Sequence, residues 1–199
     1  MNFLEKIESF ESNVCLIDEN KKNFSYKNIL MKSETLGKNL KSRSLIFVLA
    51  KNHIEFFTSY ISFFRKGLVQ MLLNPKISTI LLNEFIKTYM PNYIFLPNSR
   101  KNDLKSCEVL IEFDDHKILE LNKDNSYSLN KDLILLLSTS GSTGSKKFVR
   151  ISYENIYHNT KNIVDFLKIG ENHKTITTMP PFYTYGLSVI NTHLFAGAS

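Results

Sequence analysis

Short continuous apolar runs alternate with longer amphipathic segments along the chain, and this alternation constrains the fold more than any other feature. Residues 44–50, 68–73 and 132–138 are apolar at every position except Ser44, Gln70, Asp132 and Ser138, which is typical of strands buried on both faces of a sheet. The segments between these runs have helical spacing and stop at Gly67 or before Pro91. The pattern predicts an α/β domain with a largely parallel sheet flanked by helices.

Local signals predict several further elements. We expect a β-hairpin over residues 14–26 and a helix over residues 153–168. Residues 174–179 are predicted to form another strand, followed by a helix over residues 187–196. Asn52 directly precedes a helical pattern, so we expect its side chain to cap that helix.

Composition and charge exclude several classes of protein. The chain has 199 residues, of which 43% are hydrophobic, enough for one globular core. No apolar run is long enough to cross a membrane, and the acidic residues near the start argue against a secretory signal. Cys15 and Cys107 lie far apart, which argues against a disulfide scaffold and fits a cytoplasmic protein. The net charge of +6 is scattered, which is typical of a solvated surface, although it would also favour anionic small substrates or weak nonspecific nucleic-acid binding. Because no nucleic-acid-binding motif accompanies the charge, we expect neither nucleic acid nor a membrane as a partner.

A loop rich in hydroxyl groups and glycine follows the most apolar run. Its residues are Thr139, Ser140, Gly141, Ser142, Thr143, Gly144, Ser145, Lys146 and Lys147. Glycines let backbone N–H groups approach an anion, and the lysines add charge-assisted hydrogen bonds, so the loop suits a polyphosphate. The spacing fits neither a Walker A loop nor GxGxxG. The alternative is a flexible linker, which the flanking apolar and extended runs disfavour.

At these residues the chain resembles the adenylate-forming superfamily of acyl- and aryl-CoA synthetases, adenylation domains and luciferases. Their phosphate loop reads T-S-G-[ST]-T-G-x-P-K-G and is followed by x-S-H-x-N. Residues 139–144 match it fully, Lys147 matches the loop lysine, and Ser152 and Asn155 match the helix start. Residues 179–187 are similar to a second signature, L-P-x-F-H-x-x-G-L.

This chain also departs from the family pattern at four positions. Lys146 replaces the loop proline, and Phe148 replaces a glycine. Tyr153 replaces a histidine at the helix start, and Tyr183 replaces a histidine of the acid-substrate pocket.

The resemblance implies ATP-dependent activation of a small carboxylic acid to an acyl-adenylate, followed by transfer to a thiol. The implied cofactors are ATP and Mg²⁺, with coenzyme A or the phosphopantetheine of an acyl carrier protein as the acceptor. Lys147 would be catalytic, and residues 139–147 would bind the nucleotide. The substrate-binding candidates are Phe182, Tyr183, Tyr185 and Gly186, although aromatic residues in such a segment can equally be core residues.

By the same resemblance, residues 1–199 are a partial AMP-binding domain without the small C-terminal domain of the family. We therefore expect the chain to be inactive alone and to self-associate through an unpaired sheet edge. An alternative is the nucleotide-binding or partner-binding half of a split ligase. The five histidines show no spacing typical of metal ligands, so no protein metal site is expected. The serines lack a neighbouring histidine and acid for nucleophilic catalysis.

Overall fold

The computed structural model describes residue 4 and residues 6–104, 107–123, 128–138 and 147–199. The strands are β1 (Val14–Ile17), β2 (Asn23–Ser25), β3 (Leu45–Leu49), β4 (Val69–Leu73), β5 (Tyr93–Pro97), β6 (Glu108–Phe113), β7 (His116–Glu120), β8 (Leu133–Ser138) and β9 (Phe148–Ser152). The α-helices are α1 (Tyr26–Gly37), α2 (Ile54–Lys66), α3 (Thr79–Tyr89), α4 (Tyr153–Leu167) and α5 (Thr184–Ala196). Short 3₁₀ helices cover Ile7–Phe10 and Asn98–Asp103.

A seven-stranded sheet with the order β6-β7-β5-β3-β4-β8-β9 organises the domain. The four central strands β5, β3, β4 and β8 are parallel, whereas β7, β6 and β9 are added antiparallel at the sides. The predicted α/β fold with a largely parallel sheet is confirmed. Parallel strands end at the same side, so Pro97, Leu49, Leu73 and Ser138 mark one side of the sheet, called here the carboxyl edge.

The central strands are buried on both faces because helices cover each side of the sheet. All five residues of β3 and all five of β4 are buried. Successive side chains of a strand point to opposite faces. Val48 accordingly packs with Phe63 of α2 in one core cluster, whereas Phe47 packs with Leu82 of α3 in the other. This two-sided burial explains the continuous apolar runs of the sequence.

Capping groups set the start of α4, which carries part of the predicted family signature. The Ser152 hydroxyl accepts a hydrogen bond from the Asn155 backbone N–H at 3.1 Å, and the Asn155 side-chain oxygen accepts one from the Ser152 N–H, also at 3.1 Å. The two residues thus form a reciprocal capping box. Their role in this fold is to fix the helix that follows β9.

The predicted hairpin is confirmed by the antiparallel pairing of β1 with β2, but two other local predictions are wrong. Residues 174–179 form no strand. The Thr175 N–H donates to the Ser199 carbonyl oxygen, and the Ser199 N–H donates to the carbonyl oxygen of His173, just before the segment. These two backbone hydrogen bonds are too few to form a strand ladder. The N-cap of α2 is His53 rather than Asn52, whose side chain binds elsewhere.

No helix among the described residues is both long and apolar enough to cross a membrane. The strands β6 and β9 lie at the two sides of the sheet. Self-association through such an edge stays a prediction.

Candidate functional site

The predicted phosphate loop is attached at both ends to the carboxyl edge. In the antiparallel pairing of β8 with β9, Ser138 lies opposite Phe148. The segment between Ser138 and Phe148 therefore begins and ends at neighbouring positions of the carboxyl edge. The candidates Thr139, Ser140, Gly141, Ser142, Thr143, Gly144, Ser145 and Lys146 lie outside the described residues. Lys147 is described and exposed, directly before β9.

Phe148 anchors the end of this loop to a helix. Its ring makes edge-to-face contacts with Phe85 at 5.4 Å and with Tyr89 at 5.6 Å between ring centroids. Both partners belong to α3, which packs on the face of the sheet opposite to α4. Where the resembled family has a glycine, this chain thus has an aromatic side chain that holds the start of β9 against the sheet's second core cluster.

The second signature surrounds the start of α5, and its candidate residues differ in burial. Phe182 is buried and belongs to the main core cluster, whereas the exposed fractions of Tyr183 and Tyr185 are 41% and 66%. Gly186 is buried, and a Cβ at this position would lie only 2.3 Å from the Pro180 carbonyl oxygen. The segment therefore packs backbone against backbone at Gly186 and presents its two tyrosines outward.

Asn52 connects this segment to the sheet. Its side-chain amide donates hydrogen bonds to the carbonyl oxygens of Thr177 at 2.6 Å and Met179 at 3.1 Å. Since Asn52 follows β3 by three residues, the second signature is attached beside the carboxyl edge. Strand β8, which leads into the predicted phosphate loop, ends at the same edge two strands away. The fold thus attaches two segments that are far apart in sequence to one edge of the sheet.

A cleft of about 590 Å³ lies between the β1–β2 hairpin, the start of α2 and α5. Its lining includes Leu16, His53, Glu55, Thr177, Ile190 and His193. Burial lowers the pKa of His193, although the Val189 carbonyl oxygen at 2.9 Å from its Nδ1 acts in the opposite direction. The acid-binding candidates Phe182, Tyr183, Tyr185 and Gly186 are not among the residues that line this cleft.

The fold also assembles a histidine and glutamate cluster that sequence spacing did not indicate. His53, Glu55 and His116 place their side-chain nitrogen and oxygen atoms within 4.8 Å of one another. Burial, together with the nearby His53, lowers the pKa of His116 to about 4. His116 starts β7, opposite Pro97 at the carboxyl edge. It therefore meets the start of α2 although 61 residues of sequence separate it from Glu55.

A comparison with protein families covers the segments that hold both predicted signatures. The family model described as "AMP-binding enzyme" matches residues 3–199. The chain belongs to this family. No curated protein sequence matches the chain significantly.

Several solved structures share this fold at low sequence identity. ATP-bound MatB from Rhodopseudomonas palustris is 18% identical with a TM-score of 0.83, and the match covers 100% of this chain and 44% of that chain. O-succinylbenzoate coenzyme A synthetase from Bacillus subtilis, in complex with AMP, is 19% identical with a TM-score of 0.75, covering 99% and 54%. A long-chain-fatty-acid-CoA ligase from Archaeoglobus fulgidus is 14% identical with a TM-score of 0.79, covering 100% and 46%. The chain thus spans about half the length of the solved structures it matches.

Proposed function

We propose that this chain supplies the ATP-binding part of a ligase that activates a carboxylic acid. A carboxylate oxygen attacks the α-phosphorus of ATP, the bond to pyrophosphate breaks, and acyl-adenylate and pyrophosphate form. A thiol of coenzyme A or phosphopantetheine then attacks the acyl carbon, and AMP leaves. The family match over residues 3–199 is the observation that carries this proposal. The names of the ATP-bound and AMP-bound neighbours support the nucleotide.

The placement of Lys147 fits a role toward the phosphates. It is exposed and follows the loop that leaves β8 at the carboxyl edge, the side of an α/β sheet where ligands usually bind. Its ammonium group would neutralise charge on the departing pyrophosphate. Mg²⁺ supplies further charge neutralisation when bound and is held largely by phosphate oxygens and water.

The second signature is proposed to contact the acid. Tyr183 and Tyr185 present their rings outward, whereas Phe182 and Gly186 fix the backbone beneath them. Because the chain covers about half of its structural neighbours, we assign the complete reaction to the complete ligase. The 199-residue chain alone is proposed to bind nucleotide without catalysing adenylation.

Equilibrium binding of ATP with Mg²⁺ to the 199-residue chain tests this proposal. We expect Lys147→Ala to weaken binding about tenfold or more, because a hydrogen bond to a charged group contributes about 1.5–3 kcal/mol. Lys27→Ala is the matched control, since Lys27 is an exposed lysine of α1. In a complete enzyme, Lys147→Ala should slow acid-dependent ATP–pyrophosphate exchange by about 10²-fold. Equal binding by the wild type and both variants would contradict the role of Lys147, and no binding by the wild type would contradict the nucleotide site.

A further inference from the structure

We propose that His53, Glu55 and His116 form a binding site for a divalent transition-metal ion of the zinc type. The three side chains offer two imidazole nitrogens and a carboxylate oxygen within 4.8 Å of one another. Two imidazoles and one carboxylate are a common ligand set of zinc, which completes its coordination with water. Mg²⁺ and Ca²⁺ prefer sites made of oxygen ligands, so the two nitrogens disfavour them.

The ring nitrogens of His116 are available to bind an ion. His116 is only 3% exposed, and neither ring nitrogen has a hydrogen-bond partner among the described residues. A buried polar group without a partner destabilises the fold, because it has lost its hydrogen bonds to water without replacement. A metal ion bound to one nitrogen would remove part of that destabilisation. The buried, unpartnered nitrogens of His116 thus point to a bound ion in addition to the closeness of the three side chains.

The surroundings of the cluster hold His116 while leaving His53 room to adjust. The His116 ring stacks on Phe95 with 4.9 Å between centroids and an interplanar angle of 10°. The buried Glu55 carboxylate contacts the Nδ1 atom of His53. The His53 side chain is 34% exposed and borders the cleft. An ion can therefore reach the cluster from the cleft by displacing the contact between His53 and Glu55.

The distances require only a modest rearrangement. Ligand atoms about 2.0–2.2 Å from a tetrahedral zinc ion lie roughly 3–4 Å from one another. The present limit of 4.8 Å exceeds this by about 1 Å, which small side-chain rotations within the cluster can supply. His116 starts β7, His53 is the N-cap of α2, and Glu55 lies in the first turn of that helix, so all three ligands are attached to regular elements of the fold. The site includes no residue of the two family signatures and does not rest on the proposed function.

Metal binding to the 199-residue chain, after removal of metal with a chelator, tests this proposal directly. Isothermal titration with Zn²⁺ should show a site with one ion per chain, and Co²⁺ at this site should give visible absorption typical of tetrahedral coordination. His116→Phe keeps an aromatic ring against Phe95 and should lower Zn²⁺ affinity at least about a hundredfold. His158→Phe is the matched control, because His158 is an exposed histidine of α4.

Two further variants keep the test valid if His116→Phe does not fold. His53→Ala changes a partly exposed side chain, and Glu55→Gln keeps the size of the buried one, so each should also lower Zn²⁺ affinity. Zn²⁺ should raise the unfolding temperature of the wild type and of His158→Phe more than that of the cluster variants. Absence of a one-to-one site, or equal affinity in the wild type and all cluster variants, would overturn the proposal.

Discussion

Replacing Gly186 by alanine tests the close backbone packing at the start of α5. Alanine in an unobstructed helix is favoured over glycine by about 0.5–1 kcal/mol. At Gly186, however, the new Cβ would lie 2.3 Å from the Pro180 carbonyl oxygen and 2.7 Å from that of Met179. These are backbone atoms, so the clash is relieved only by moving the segment away from the helix.

The size of the effect follows from three contributions. Overpacking of this kind costs about 1–3 kcal/mol. Displacing Met179 would also lengthen or break the 3.1 Å hydrogen bond that its carbonyl oxygen accepts from the Asn52 amide, which contributes about 1 kcal/mol. The helix propensity of alanine offsets about 0.5–1 kcal/mol. We therefore expect Gly186→Ala to lower the free energy of unfolding by about 2 kcal/mol.

Urea denaturation of the 199-residue chain, followed by circular dichroism, measures this change. A loss of about 2 kcal/mol should lower the urea midpoint by about 1 M and the melting temperature by roughly 4–8 °C. Gly170→Ala is the matched control, because a Cβ there would meet only the His173 Nδ1 atom at 3.9 Å. That variant should be unchanged or up to about 1 kcal/mol more stable. If Gly186→Ala is as stable as Gly170→Ala, the packing argument is wrong.

Two further predictions concern the cysteines and the aromatic anchor of β9. Burial raises the pKa of Cys15 to about 12, so its reactive thiolate is scarce at pH 8. Burial also raises the pKa of Cys107, but this cysteine is only half-buried. We therefore expect Ellman's reagent to label Cys15 at least about a hundredfold more slowly than Cys107. Both should react alike in urea, and equal rates in the native chain would refute the assigned burial. Phe148→Ala removes the ring contacts with Phe85 and Tyr89 and should lower the free energy of unfolding by about 1–2 kcal/mol in the same urea assay. An unchanged urea midpoint would show that the Phe148 ring does not stabilise the fold.

Local chemistry made several elements predictable. The apolar runs that become β3 and β4 need two covered faces, and only the interior of a sheet between helices provides them. Gly67 ends α2 with a φ of 75°, a conformation that glycine adopts without steric cost. Ser152 and Asn155 cap α4 through bonds that span three residues. For Gly67 and for the Ser152–Asn155 cap, the deciding interaction lies within a few residues of the sequence signal, whereas for the strands the signal is the composition of the run itself.

Two predictions failed because the deciding partner is distant in sequence. Asn52 has the side chain of a good N-cap, but its amide donates to Thr177 and Met179, more than 120 residues away. The apolar alternation of residues 174–179 resembles a strand, yet a strand also needs a neighbour with which to form a ladder. Neither requirement can be read from local propensity.

The order of residues alone determined the alternation of strands and helices, the helix ends and the family signatures, because these depend on local sterics, periodicity and contiguous motifs. Only the tertiary structure decided which distant groups meet. It placed His116 against His53 and Glu55 because β7 runs antiparallel beside β5, which brings its first residue to the carboxyl edge. It also made Phe182 a core residue while leaving Tyr183 exposed. Strand order and direction are consequences of packing the whole chain, and they create neighbours that no local pattern encodes.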